Sequence, residues 1–144
     1  MFKFLFHLIT VAYIINEFMW IYDPKKQVDK TKKLVELGEE EKGESWDEYS
    51  EDYKEIWVRK GLPSLIFFAW MLLGLFTFNW ILFGIHIVYG LIVARISKPL
   101  RFGKAYLAIH WVSSIIGFAF AIFVLINSYH LKIDLLELIK TWLN

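Results

Sequence analysis

From Leu62 to Ala94 the chain runs 33 residues without a Lys, Arg, Asp or Glu. As one helix this run would be about 50 Å long, against a hydrocarbon core of about 30 Å, so a membrane can hold it only if it folds back on itself. Two further apolar stretches, at 2–22 and 105–129, complete the pattern. The fold class expected is an all-α membrane protein with four transmembrane helices at about 2–22, 62–78, 80–97 and 104–129. The chain is expected to form one four-helix domain over 1–144. Residues 23–61 are read as a cytoplasmic helical insertion and 131–144 as an amphipathic tail. The first span has no small-residue cleavage signature behind it and is read as a retained membrane helix rather than a signal peptide.

Composition narrows the chemistry. With 57% hydrophobic and 19% aromatic residues in 144 there is little left for a separate soluble domain. No cysteine is present, which excludes disulfides, thiolate metal or iron–sulfur sites and a thiol relay. Net charge is +1, and no basic patch lacks balancing acids, so nucleic acid is not an expected partner.

Basic residues set the expected orientation. The 23–61 segment holds nine Lys/Arg, and Arg95, Lys98, Arg101 and Lys104 flank or lie in the 98–104 loop; only Lys3, Lys132 and Lys140 lie on the opposite side. The positive-inside rule puts 23–61 and 98–104 in the cytoplasm and both termini outside. The location read from this is multi-pass in a bacterial cytoplasmic (inner) membrane. Trp20, Tyr22 and Tyr106 are expected to form the inner aromatic belt, and Trp80 and Tyr129 the outer one.

Within 23–61, Gly38 and Gly43 are expected to interrupt a charged helix that begins at Pro24. Ser45 to Glu48 has the form of a capping box, which predicts a second helix starting there. Its Trp46, Tyr49, Tyr53, Ile56 and Trp57 recur at helical spacing as an aromatic stripe. That stripe suits either the membrane surface or a partner protein. After span four, Leu131, Leu135, Leu138, Ile139, Trp142 and Leu143 predict a short surface helix.

Small and polar residues mark the faces where membrane helices meet. Ser113, Gly117 and Ala121 on span four, and Gly90 and Ala94 on span three, are the expected packing positions. Depth bookkeeping at 1.5 Å per residue puts Glu17, Arg95 and His110 all about 20 Å from the outer edge. Intramembrane ionisable groups are functional candidates by default, so these three are expected to form a polar cluster around a Glu17–Arg95 ion pair; the alternative is that Arg95 snorkels to the cytoplasmic headgroups while Glu17 takes a proton or meets a nearby lysine. His7 and His86 share a second, outer depth, the arrangement that b-type haem would need from two axial ligands. No catalytic residues or metal site are read from the chain.

Three functional classes follow. The first is a non-catalytic structural or accessory subunit that assembles with itself or with other membrane protein subunits in the lipid bilayer. The second is a small oligomeric pore or transporter lined by Glu17, Arg95 and His110. The third is an electron-transfer subunit carrying haem b on His7 and His86.

Overall fold

The computed structural model describes residues 2–131 and 134–143, and among these there are helices and turns but no strand. The helices are α1 (Phe2–Tyr22), α2 (Pro24–Glu41), α3 (Glu51–Ile56), α4 (Leu62–Thr77), α5 (Trp80–Ser97), α6 (Lys104–Ile126) and α7 (Leu135–Leu143). Four continuous helical runs, Lys3–Tyr22, Glu51–Thr77, Trp80–Leu100 and Lys104–Tyr129, are long and apolar enough to cross a membrane. They form a bundle in which α1 packs on α6 and α4, and α5 closes the ring between α4 and α6.

The fold-back expected between the spans at 62–78 and 80–97 is present, as a turn between Thr77 and Trp80. Its turn is set by Asn79, whose Oδ1 accepts from the Leu82 amide at 2.9 Å and starts α5. At the opposite end, Asp23 caps α2 by accepting from the Lys26 amide at 3.1 Å, and Pro24 occupies the first turn, where its missing N–H costs nothing. This break at Asp23 lets α2 pack against both α1 and α6 at the end of the bundle. Gln27 and Val28 are buried there, with Val28 packed between Trp20 and Tyr106. Trp20 and Tyr106 are therefore interior residues beneath α2 rather than belt residues, whereas Tyr22, Trp80 and Tyr129 are exposed as the belt reading expects.

The polar segment departs from expectation in three places. Gly38 does not break α2. It lies inside the helix, where a Cβ would sit 3.3 Å from the Tyr53 ring. Residues Trp46–Glu48 form only a 3₁₀ turn, because Glu48 accepts from the Glu44 amide (2.8 Å) and the Ser45 hydroxyl (3.1 Å) instead of closing a capping box. The α-helix starts at Glu51, capped by the Ser50 hydroxyl, which accepts from the Tyr53 amide at 3.1 Å. Ser50 is also held by Glu41, whose carboxylate accepts from the Ser50 hydroxyl and amide; these two bonds pull the Glu41 carboxyl below its usual range. The aromatic stripe consequently folds onto itself and onto α2. Tyr49 stacks on Tyr53 at 4.4 Å, Trp46 meets Trp57 edge-on at 5.3 Å, and Lys33 pairs with Asp52 at 3.7 Å.

Helix α3 runs into α4 through a π turn at Trp57–Gly61. Pro63 lacks the amide that would bond to the Arg59 carbonyl and its ring crowds that carbonyl; the wider turn, with the Leu62 amide bonded to the Trp57 carbonyl, relieves both. In α7, Leu138, Trp142 and Leu143 are exposed. The side chains of Leu131, Leu135 and Ile139, and all of Lys132, lie outside the described residues, so the full apolar face expected for the tail does too.

The centre of the bundle is aromatic. Trp70 and Phe83 have no exposed surface, and Trp70 stacks on Tyr13 (4.7 Å) and Phe6 (5.9 Å) and meets Phe83 edge-on (5.3 Å). Its indole N–H donates to the Thr10 hydroxyl at 2.9 Å, and that hydroxyl donates to the Phe6 carbonyl at 2.7 Å, so the buried polar atoms of both side chains are paired.

Candidate functional site: a buried carboxylate at the α2 end of the bundle

Helical spacing puts Tyr13, Glu17 and Trp20 on the face of α1 that meets α6, and Glu17 is only 9% exposed. One carboxylate oxygen accepts from the Asn16 side-chain amide at 3.1 Å, and Ser114 on α6 lies beside the same carboxylate. Gly117 makes the approach possible. A Cβ there would sit 2.7 Å from the Tyr13 hydroxyl and 3.3 Å from Glu17 Oε2, so a side chain would push α1 and α6 apart.

The cation facing Glu17 is Lys60, in the π turn that leads into α4. Lys60 lies over the Trp20 ring at 4.3 Å and donates to Gln27 Oε1 at 2.9 Å. Beside it, His110 is sandwiched between Trp20 (5.6 Å) and Tyr106 (4.2 Å), and its buried Nε2 has no hydrogen-bond partner among the described residues. The cluster thus ties α1, α2, α4 and α6 together at one end of the bundle. A carboxylate held by a side-chain amide, with a serine and a cation nearby, is an electrostatic cross-link.

The structure brings Glu17 and His110 into one cluster as expected, but not Arg95. Arg95 is exposed on the last turn of α5 and makes no ion pair among the described residues, so the expected Glu17–Arg95 pair is absent; the cation acting on Glu17 is Lys60, which bonds to Gln27 and not directly to the carboxylate. The reason is rotational: matched depth does not put two residues on facing sides of their helices. Lys60 was legible as a residue at the start of a span, at the same depth as Glu17. The alternative of an outward Arg95 and a lysine near Glu17 is the arrangement found, and only the packing singles out Lys60 among the lysines at that edge.

On α6 the buried small-residue face is Ser114, Gly117 and Ala121, with Ser113 half-buried at its edge. On α5, Gly90 and Ala94 face outward, and a Cβ on Gly90 would meet nothing within 4 Å.

His7 and His86 do not face a shared slot. His7 Nδ1 is 2.9 Å from the Tyr129 hydroxyl, and His86 lies flat on Phe120 at 4.1 Å. A continuous series of ring contacts joins them: His7 to Phe6 (5.8 Å), Phe6 to Phe83 (6.1 Å), Phe83 to Phe120 (5.0 Å) and Phe120 to His86. These rings fill the space a porphyrin would need, so the residues present do not fit the group. No group of three or more potential metal ligands occurs among the described residues.

The fold defines the class as an all-helical bundle with four helices long and apolar enough to cross a membrane. No protein-family model, curated protein or solved structure matches the chain.

Removal of Glu17 and removal of Arg95 separate the two electrostatic arrangements. Glu17→Ala leaves the Asn16 side-chain amide without its acceptor and removes the buried anion near Lys60, lowering stability by about 1–3 kcal/mol, whereas Arg95→Ala stays within about 0.5 kcal/mol of the parent. Denaturant unfolding in mixed micelles measures both; equal effects would restore the Glu17–Arg95 pair.

Proposed function

We propose that the chain is a multi-pass membrane protein that serves as a non-catalytic structural or accessory subunit, with 23–61 and 98–104 on the cytoplasmic side and both termini outside. The observation that carries this reading is the contrast between two small-residue faces. On α6, Ser114, Gly117 and Ala121 are used up inside the bundle, against α1. On α5, Gly90 and Ala94 leave a shallow open strip flanked by exposed Leu91 and Val88. In a bilayer, helices associate where small residues let backbones approach, and this strip is shaped for one more transmembrane helix, from a second copy or from another subunit.

The pore alternative loses support because Glu17 and Arg95 do not line a common path, and Trp70, Phe83, Val124 and Thr10 fill the interior. The electron-transfer alternative loses support from the ring series between His7 and His86.

The test is the native mass of gently solubilised protein from its own host, with an absorption spectrum on the same sample. Wild type migrates as an assembly larger than one 17.1 kDa chain, without a Soret band. Gly90→Leu with Ala94→Leu releases the chain as a monomer whose helicity and melting are unchanged, because nothing in the bundle touches Gly90. A monomeric wild type would overturn the reading, as would a Soret band.

A further inference from the structure

A cleft of ≈ 1370 Å³ separates α2 from the end of α5 and the start of α6. Its two walls differ in charge. On the α2 wall, Lys32 and Glu36 pair with each other at 3.6 Å, leaving Glu39 as an acid without an ion-pair partner among the described residues. On the α5–α6 wall, Arg95, Lys98 and Arg101 lie within one seven-residue stretch, all exposed, and make no ion pair among the described residues. Four cations against two acids leave the cleft with a net positive charge.

The backbone of this wall carries a second signal. Arg101 and Phe102 both adopt left-handed conformations (φ 43° and 60°), while the adjacent Gly103, which could do so without strain, does not. Two consecutive non-glycine residues in that region are uncommon, and held strain of this kind concentrates at ligand clamps. Here it keeps Arg101 at the cleft while Phe102 packs on Tyr106 at 4.8 Å.

We propose that this cleft binds the headgroup of an anionic phospholipid, whose phosphate lies among Arg95, Lys98 and Arg101. The cleft is at the end of α5, level with the basic residues that flank the apolar runs. Just above it on α5, Leu91 and Ile92 are exposed and offer an apolar track for acyl chains. A lipid rather than a free phosphate is indicated by that track and by Ala94, Pro99 and Phe102 among the cleft residues. An arginine can engage a phosphate through two parallel N–H donors, and a lysine adds a point charge.

The experiment is native mass spectrometry of the full chain released from micelles doped equally with phosphatidylglycerol and phosphatidylcholine. Wild type retains phosphatidylglycerol in preference to phosphatidylcholine, and each cation removed weakens that preference by about fivefold, the effect of one basic side chain at an anionic membrane surface. Arg95→Gln, Lys98→Gln and Arg101→Gln together abolish the preference. Lys25→Gln, Lys26→Gln and Lys42→Gln, which remove equal charge from exposed positions at the same end of the bundle, retain it. Arg101→Gly guards against misfolding, because glycine suits the left-handed backbone: the preference falls while the melting temperature holds or rises. An unchanged preference in the cleft variants overturns the proposal, as does equal loss in the control. Displacement of the lipid by excess inorganic phosphate would reassign the site to the free anion.

Discussion

Trp70→Ala lowers the stability of the bundle by about 3 kcal/mol, toward the low end of the range for truncating a buried large aromatic residue. That lower figure follows from the solvent. Lipid tails are as apolar as the bundle interior, so little is lost by transferring the side chain, and the cost comes from the cavity and its missing contacts. Trp70 has no exposed surface and, from α4, touches rings on the other three long helices: Phe6 and Tyr13 on α1, Phe83 on α5 and Phe120 on α6. Few sites offer less scope for collapse. Trp70→Phe keeps most of that contact and loses the 2.9 Å bond to Thr10, and its cost is about 1 kcal/mol, the scale of one interhelical hydrogen bond in a membrane. Reversible unfolding in mixed micelles reads both variants. Equal losses would mean that the hydrogen bond, not the ring, holds the centre.

Gly74→Ala destabilises by about 2–3 kcal/mol, opposite in sign to the usual effect of this change within a helix, where alanine is favoured by up to about 1 kcal/mol. A Cβ at Gly74 would overlap the Phe83 ring, which is fully enclosed and cannot step aside. Gly74 also accepts the amides of Phe78 and Asn79 at 3.1 Å, which close the turn between α4 and α5, so the overlap falls where the hairpin is tightest. Gly90→Ala is the internal comparison: with nothing within 4 Å, it follows the ordinary helix preference and does not destabilise. The double variant Gly74→Ala with Phe83→Leu recovers more than half the loss, because the smaller side chain vacates the overlap. Melting temperatures of the four proteins check this, and no recovery in the double variant would locate the cost in the turn instead.

Much of the site was hidden for reasons that particular residues make plain. Hydropathy and charge marked Glu17, His110 and Arg95 as costly residues at one depth, and two of the three do share a cluster. Depth is a one-dimensional coordinate, however, and the rotation of α5 that turns Arg95 outward depends on how Phe83 and His86 pack inward. Trp20 and Tyr106 have the composition of an interfacial belt, yet α2, starting at the Asp23–Pro24 break, packs Val28 onto them and makes them interior. Ser45–Glu48 has the local pattern of a helix start, but Glu41 and Ser50 bond to each other across the loop and move the start to Glu51. Gly74 had no local signature, because the ring that requires it lies nine residues away on the next helix.

What the sequence determined by itself is the element inventory: four helices long and apolar enough to cross a membrane, their ends to within a few residues, and the charged segment between the first two. Those properties follow from local chain physics, since a backbone deprived of water must satisfy its own hydrogen bonds, and caps and prolines act within a turn. What only the tertiary structure decided is which faces meet. Without a hydrophobic effect to sort inside from outside, partner choice rests on shape at single residues, such as Gly117 admitting Tyr13 and Glu17, or Gly74 admitting Phe83, and shape is a property of two helices at once.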